Sequence, residues 1–377
     1  MQGDLLRLQR CSRCLYPTTK PDLTFDANGV CSACTAFDKR AMVDWAKRKH
    51  ELELLLETGK NSSGYDCIVP SSGGKDSHWQ VLTLIEMGAK PLVVTATTCH
   101  LTEIGRANID NLARYATTVE FSPNKVTRAK LNKIGLLEIG DISWPEHVSI
   151  FTTPFRAACD FGIPLIFYGE CPQEAYGGPP GTDEAKELTQ RWVQEFGGFI
   201  GLRPHDLIGR DEITAHDMVD YTPPPIEKLK AVGVRAYFLG QFFNWGSRRN
   251  ARVAKENGMQ FKNPSLANWW NFENLDNAQT GLHDWFCYLK FGYGRATAQL
   301  SVDIRNGYIT REKAASKNNE SWFPYPYIGV SVDDVLDNIG VGFNQQRDAE
   351  RRFTNREIFG TRNPRYTDTV DERRATG

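Results

Sequence analysis

One short stretch constrains this chain more than any other: Val69-Pro70-Ser71-Ser72-Gly73-Gly74-Lys75-Asp76-Ser77. Asp66-Cys67-Ile68-Val69 before it is short and apolar, as a buried strand should be. The residues from Asp76 to Glu86 carry Trp79, Leu82 and Ile85 at helical spacing. The unit therefore reads as strand, tight turn and helix. Paired glycines let the backbone turn sharply and approach a ligand closely. The N–H groups of the turn and of the helix start then converge on one spot, which attracts a phosphate. A Walker A loop is excluded. Val69 stands where that pattern needs glycine, and Asp76 follows the lysine where it needs Ser or Thr.

Ser-Gly-Gly-Lys-Asp-Ser instead resembles the pyrophosphate loop (PP-loop) of the ATP pyrophosphatase superfamily. Those enzymes cleave ATP between the α- and β-phosphates and pass AMP to a carbonyl oxygen, which nitrogen or sulfur then displaces. The resemblance implies that the loop from Ser71 through Ser72, Gly73, Gly74 and Ser77 holds pyrophosphate. It implies that Asp76 helps to hold magnesium and that Thr95 and Thr97, after the second strand, face the adenosine.

Further β-branched or apolar runs follow at Pro91 to Ala96, Val119 to Phe121, Ile163 to Tyr168 and Val234 to Leu239. Helical stretches such as Gly105 to Tyr115 and Asp183 to Phe196 lie between them. This alternation predicts an α/β fold with a doubly wound parallel sheet. Ligands bind such sheets beyond the carboxyl ends of the strands, at the switch point. Gly169 and Glu170 fall at one such end, with Glu174, Tyr176 and Gly177 close behind. A carboxylate there suits magnesium or substrate; Glu170 is the first choice and Glu174 the second. Asn244 and Trp245 follow the fifth strand and suit a polyhydroxylated ligand. Lys290 and Arg295 flank Gly292-Tyr293-Gly294, and two such cations can hold phosphates or a carboxylate.

Cys11-Ser12-Arg13-Cys14 and Cys31-Ser32-Ala33-Cys34 are separated by sixteen residues. That spacing fits a four-cysteine zinc site with every position filled, hence structural. Asp26 to Gly29 supplies a tight turn between the pairs. Phe37 to Glu57 reads as one amphipathic helix and Thr58 to Gly64 as a linker. A chain of 377 residues is expected to form two or three units. The expected division is a zinc module with its helix over 1–60, the ATP pyrophosphatase domain over 61–260, and an α-rich substrate or partner region over 261–377. Lys+Arg (45) and Asp+Glu (46) nearly cancel, which argues against nucleic acid as a partner. No run reaches the eighteen apolar residues of a membrane helix, so membrane insertion is not expected. The N-terminus lacks a signal-peptide pattern, and four of the nine cysteines read as metal ligands. A reducing, cytoplasmic setting fits this usage.

Several motifs run in one order: the paired cysteines, Ser-Gly-Gly-Lys-Asp-Ser, Gly-Glu followed by Glu-Ala-Tyr-Gly-Gly, Leu-Gly-Gln-Phe-Phe-Asn-Trp, and Leu-Lys-Phe-Gly-Tyr-Gly-Arg-Ala-Thr. Together they resemble the N-acetyl sugar amidotransferases of bacterial surface-polysaccharide pathways, among them WbpG-like lipopolysaccharide enzymes and PseA-like enzymes. The resemblance spans roughly residues 10 to 345. Cys171 departs from it, because a polar residue is expected after Gly-Glu. The resemblance implies a synthetase that uses ATP and Mg2+, with structural Zn2+. It implies ammonia from a separate HisH-like glutaminase and a nucleotide-activated N-acetylated sugar as substrate. The N-acetyl group becomes acetamidino through an adenylated intermediate. Lys75, Asp76 and Glu170 are the expected catalytic residues. Two other readings compete. A tRNA-thiolating enzyme of the same superfamily should carry a basic face. A non-catalytic, nucleotide-binding zinc-ribbon scaffold should release no AMP.

Overall fold

The computed structural model describes residues 8–60, 64–169, 178, 187–189, 192–193, 197–318, 326–361 and 364. Five short strands carry the architecture: β1 (Cys67–Pro70), β2 (Pro91–Ala96), β3 (Thr118–Phe121), β4 (Leu165–Tyr168) and β5 (Arg235–Phe238). All pair in parallel, in the order β3-β2-β1-β4-β5. The order reverses at β1, so the switch point lies between β1 and β4.

The apolar runs are continuous because both faces are covered. Ile68, Leu92, Val94, Ile166 and Phe238 point into one core. Cys67, Val69, Val93, Phe167 and Tyr237 point into the other. Helices fill the connections in chain order. α1 (Ser32–Lys39) and α2 (Trp45–Gly59) precede the sheet, and α3 (Lys75–Glu86), α4 (Glu103–Leu112), α5 (Lys125–Ile134) and α6 (Trp144–Phe161) alternate with its strands. The first core receives Leu131 and Ile134 of α5 and Trp144 and Val148 of α6. The second receives Leu52 and Leu56 of α2 and Trp79, Val81 and Leu84 of α3. Thus α2 shares its core with the sheet, not with the cysteines.

The expected single helix from Phe37 to Glu57 is two helices. A 3-10 turn (Arg40–Met42) follows α1, Val43 is extended, and Asp44 starts α2 by accepting from the Lys47 N–H at 2.9 Å. A side chain able to cap its own backbone overrides the continuous apolar pattern.

α7 (Ile226–Val232) leads into β5, and α8 (Ser247–Glu256) packs along α3. The later chain is helical among the described residues: α9 (Thr280–Phe291), α10 (Arg295–Arg305), α11 (Arg311–Lys317), α12 (Val332–Asn338), α13 (Phe343–Phe353) and α14 (Arg356–Phe359). Trp285 and Phe286 of α9 share a core with Leu136, Val335 and Ala349. Turn residues at 306–310 lead into α11, capped by Thr310. The expected helix from Asp183 to Phe196 falls largely outside the described residues. No described helix is long and apolar enough to cross a membrane.

The cysteine pairs meet. All four are fully buried, with Sγ–Sγ distances of 3.9 Å for Cys11–Cys34 and 3.6 Å for Cys14–Cys31. Their ligand atoms lie within 4.8 Å of one another. Four thiolates at about 2.3 Å from a tetrahedral ion would be about 3.8 Å apart, so the donor set fits a structural Zn2+. Backbone N–H groups of Arg13, Cys14 and Cys31 point at the Cys11 sulfur at 3.3–3.4 Å. The module docks on the late helices. Leu15 N–H donates to Ser301 Oγ at 3.2 Å, and Arg311 Nε donates to the carbonyls of Cys14 (3.1 Å) and Cys11 (3.3 Å).

Candidate active site

The glycine turn closes β1 at the switch point. Ser71 N–H donates to Val94 O (2.9 Å) and so ties the turn to β2. Gly73 has φ +76°, and a Cβ there would lie 2.8 Å from the Ile109 backbone nitrogen. Both the conformation and the close approach of α4 require glycine. Gly73 N–H donates to Ser71 Oγ at 3.0 Å. Gly74 precedes α3 without a capping side chain, so the first-turn N–H groups can serve an anion.

Lys75 opens α3 almost fully buried. Its Nζ is 2.6 Å from Asp76 Oδ2 and 3.6 Å from Glu273 Oε1. Asp76 Oδ1 accepts from Asn250 Nδ2 of α8 at 2.9 Å. Glu273 accepts from Gln299 of α10 at 2.7 Å. Ser77 is buried in the same first turn. His78 is held neutral: burial lowers its pKa, Nδ1 donates to Gly74 O (3.0 Å), and Nε2 accepts from Asn111 (2.9 Å). Gly169, at the end of β4, faces this helix start; a Cβ there would lie 3.7 Å from Asp76 Cβ.

The turn forms one wall of a cleft of about 500 Å³. Gly169 lines it, as do Val94 and Ala96 of β2 and Thr98 just beyond the strand. Thr95 and Thr97 lie one position out of that alternation. Thr95 is buried with no hydrogen-bond partner for Oγ1, and Thr97 Oγ1 donates to Phe121 O at 3.0 Å.

Phe272 to Asn277 line the cleft too, together with Arg295. Arg295 grips Asp284 through Nε (3.0 Å) and Nη2 (2.5 Å). Burial opposes its charge, yet Asp284 holds its pKa well above the ordinary arginine value. The other expected substrate residues sit elsewhere. Lys290 stacks over Phe291, and Tyr293 meets Tyr16 edge-on at 6.2 Å beside the cysteines. Asn244 and the Trp245 carbonyl accept from Arg40, and the Trp245 ring packs on Trp79 at 4.9 Å. Glu170, Glu174, Tyr176 and Gly177 lie outside the described residues.

The floor of the cleft holds polar groups that the sequence reading did not single out. Arg128 is buried and pairs with Glu146 at 2.9 Å; it also donates to Tyr221 and Ser149. Gln279 donates to the second Glu146 oxygen at 2.8 Å. Asp141 lies between His147 (3.3 Å) and His283 (2.8 Å), and both imidazoles line the cleft. Burial disfavours the Asp141 carboxylate, but the imidazoles hold its pKa well below the usual range. Asp276 is the opposite case: burial, reinforced by the charge of Glu146, pushes its carboxyl up to about 6. The chain has seven histidines; Trp144-Pro145-Glu146-His147, at a helix start, was the local signal for this floor.

An uncapped helix start beside a buried lysine and two carboxylates can bind an anion with a divalent cation. The fold and site define an α/β protein with an anion-suited glycine turn at its switch point and a sizeable cleft beside it. Residues 264–372 match the family described as LPS biosynthesis protein WbpG-like, C-terminal domain. This similarity supports the WbpG-like resemblance for the segment that lines the cleft from Phe272 onward. Comparison with curated proteins returns no match.

Proposed function

We propose that the chain is the synthetase component of an ATP-dependent, AMP-forming amidotransferase in polysaccharide biosynthesis. It converts the N-acetyl group of a nucleotide-activated sugar to an acetamidino group. One observation carries this reading: the glycine turn and the segment similar to WbpG-like proteins line a single cleft. Residues 61–260 then serve the nucleotide and 261–377 the sugar.

An amide carbonyl is a poor electrophile with a poor leaving group. Attack of its oxygen on the α-phosphorus of ATP releases pyrophosphate and leaves AMP on that oxygen. Ammonia then adds to the carbon, and AMP departs with the oxygen. The turn N–H groups and Lys75 stabilise the charge that grows on pyrophosphate. Asp76 and Glu273 would hold Mg2+, which supplies further charge neutralisation there. Asn250 keeps Asp76 aimed at the turn. Arg295, steadied by Asp284, presents a cation to the sugar side. A HisH-like glutaminase supplies the ammonia.

The test combines ATP, Mg2+, ammonium and a panel of UDP- and CMP-linked N-acetylated sugars, with nucleotides and sugar mass followed together. AMP formation matched to replacement of one carbonyl oxygen by NH is the expected result. Lys75→Ala is expected to lower turnover about 10²–10³-fold, as loss of a charge-stabilising donor does. ADP as product, or AMP formed only with tRNA and a sulfur donor, would refute the proposal.

A further inference from the structure

We infer that Asp141, His147 and His283 form a second metal site, for a divalent first-row transition ion such as zinc or ferrous iron. It is separate from the four cysteines and independent of the amidotransferase reading.

The three side chains reach one point from three parts of the fold. Asp141 follows a π-helical turn (Gly135–Ile139), His147 lies in the first turn of α6, and His283 in the first turn of α9. Their ligand atoms lie within 4.8 Å of one another. Two ligands at about 2.0–2.1 Å from one tetrahedral ion stand about 3.3 Å apart. The observed separations are 2.8 Å (Asp141 Oδ1–His283 Nδ1) and 3.3 Å (Asp141 Oδ2–His147 Nδ1), so an ion fits with small adjustments.

Both imidazoles approach the one carboxylate through Nδ1, and His147 stands at the longer distance, 3.3 Å from Oδ2. Its ring stands at 83° to His283, with centroids 5.4 Å apart. The carboxylate is also supported as ligands usually are. Ser143 N–H donates to Asp141 Oδ1 at 2.9 Å, and Asp141 N–H donates to Gly135 O at 2.9 Å. That turn is tight enough that a Cβ at Gly135 would lie 2.4 Å from Asp141 O.

Two imidazoles and one carboxylate suit transition ions, whereas magnesium and calcium favour oxygen donors. Three protein ligands leave open coordination, the arrangement of reactive rather than structural sites. Asp141 is buried at 3 % exposure, while both histidines are about a quarter exposed and line the cleft. The open positions therefore face the space shared with the glycine turn, where a carbonyl or phosphate oxygen of a bound molecule can enter.

The experiment uses the full chain, stripped with chelator under reducing conditions and titrated with Co2+ in excess Mg2+, which occupies the Asp76 and Glu273 carboxylates. The cysteine site reports through intense sulfur-to-cobalt absorption, and the proposed site through weaker visible bands from nitrogen and oxygen donors. Wild type is expected to bind about two ions, and His147→Gln and His283→Gln about one each, with the sulfur bands retained. Retained sulfur bands also report that the cysteine module is folded in each variant. Saturation of wild type at one ion, or a second ion kept in both variants, would overturn the site. Anomalous X-ray scattering from cobalt-soaked wild-type crystals tests the same claim without a variant: a peak among the three side chains supports it, and none there refutes it.

Discussion

Asp276 lines the cleft wall facing Glu146, and burial raises its carboxyl to about 6 from an ordinary 3.8. The unfolded chain keeps the ordinary value. Between those two values the folded protein holds more protons, so stability falls as pH rises from about 4 to about 6. Asp276→Asn removes this loss. The variant is expected to be about 1–2 kcal/mol more stable than wild type at pH 7, and level with it near pH 4, after allowance for solvent screening. Urea unfolding from pH 4 to 8 checks this; parallel curves would show that the carboxyl carries no such penalty.

At the scale of elements, Asp44 separates two helices that the apolar pattern joins. Asp44→Ala is expected to cost about 1 kcal/mol, while Asp44→Asn keeps most of the cap; denaturant midpoints of the two variants decide it. The same contrast explains what could be read from the chain. The glycine turn was legible because its conformation is local: Gly73, Gly74, Lys75 and Asp76 are consecutive and share one strand–helix junction. Pro91–Ala96 was legible to the residue because both faces are buried and the run is bounded. The choice of Thr95 and Thr97 rested on the PP-loop resemblance, whereas the alternation that turns Val94 and Ala96 to the cleft is set by the sheet. The cleft floor was hidden by distance along the chain, since Asp141 and His283 are 142 residues apart. Lys290, Tyr293 and Arg295 are neighbours in sequence, but the start of α10 turns Arg295 alone of the three to the cleft.

Across the whole molecule, the first cysteine segment and the late helices complete each other. Arg311→Ala removes two carbonyl contacts from the cysteine module. It is expected to lower stability by about 1–2 kcal/mol and to speed metal loss to a chelator. Thermal melting and a colorimetric zinc-release assay together test this. Unchanged release would mean that the thiolates alone hold the module. The cleft lining from Phe272 onward belongs to the same late part of the chain, so the cleft and the cysteine module both depend on it.

That dependence sets an order of events during synthesis. Cys11 leaves the ribosome 300 residues ahead of Arg311. At about 5–20 residues per second, the interval is roughly 15–60 s. Through it the thiols have no docking surface, and oxidation or a wrong ion can take them first. An ion captured early would protect the segment, and the late helices would then close over a centre already assembled.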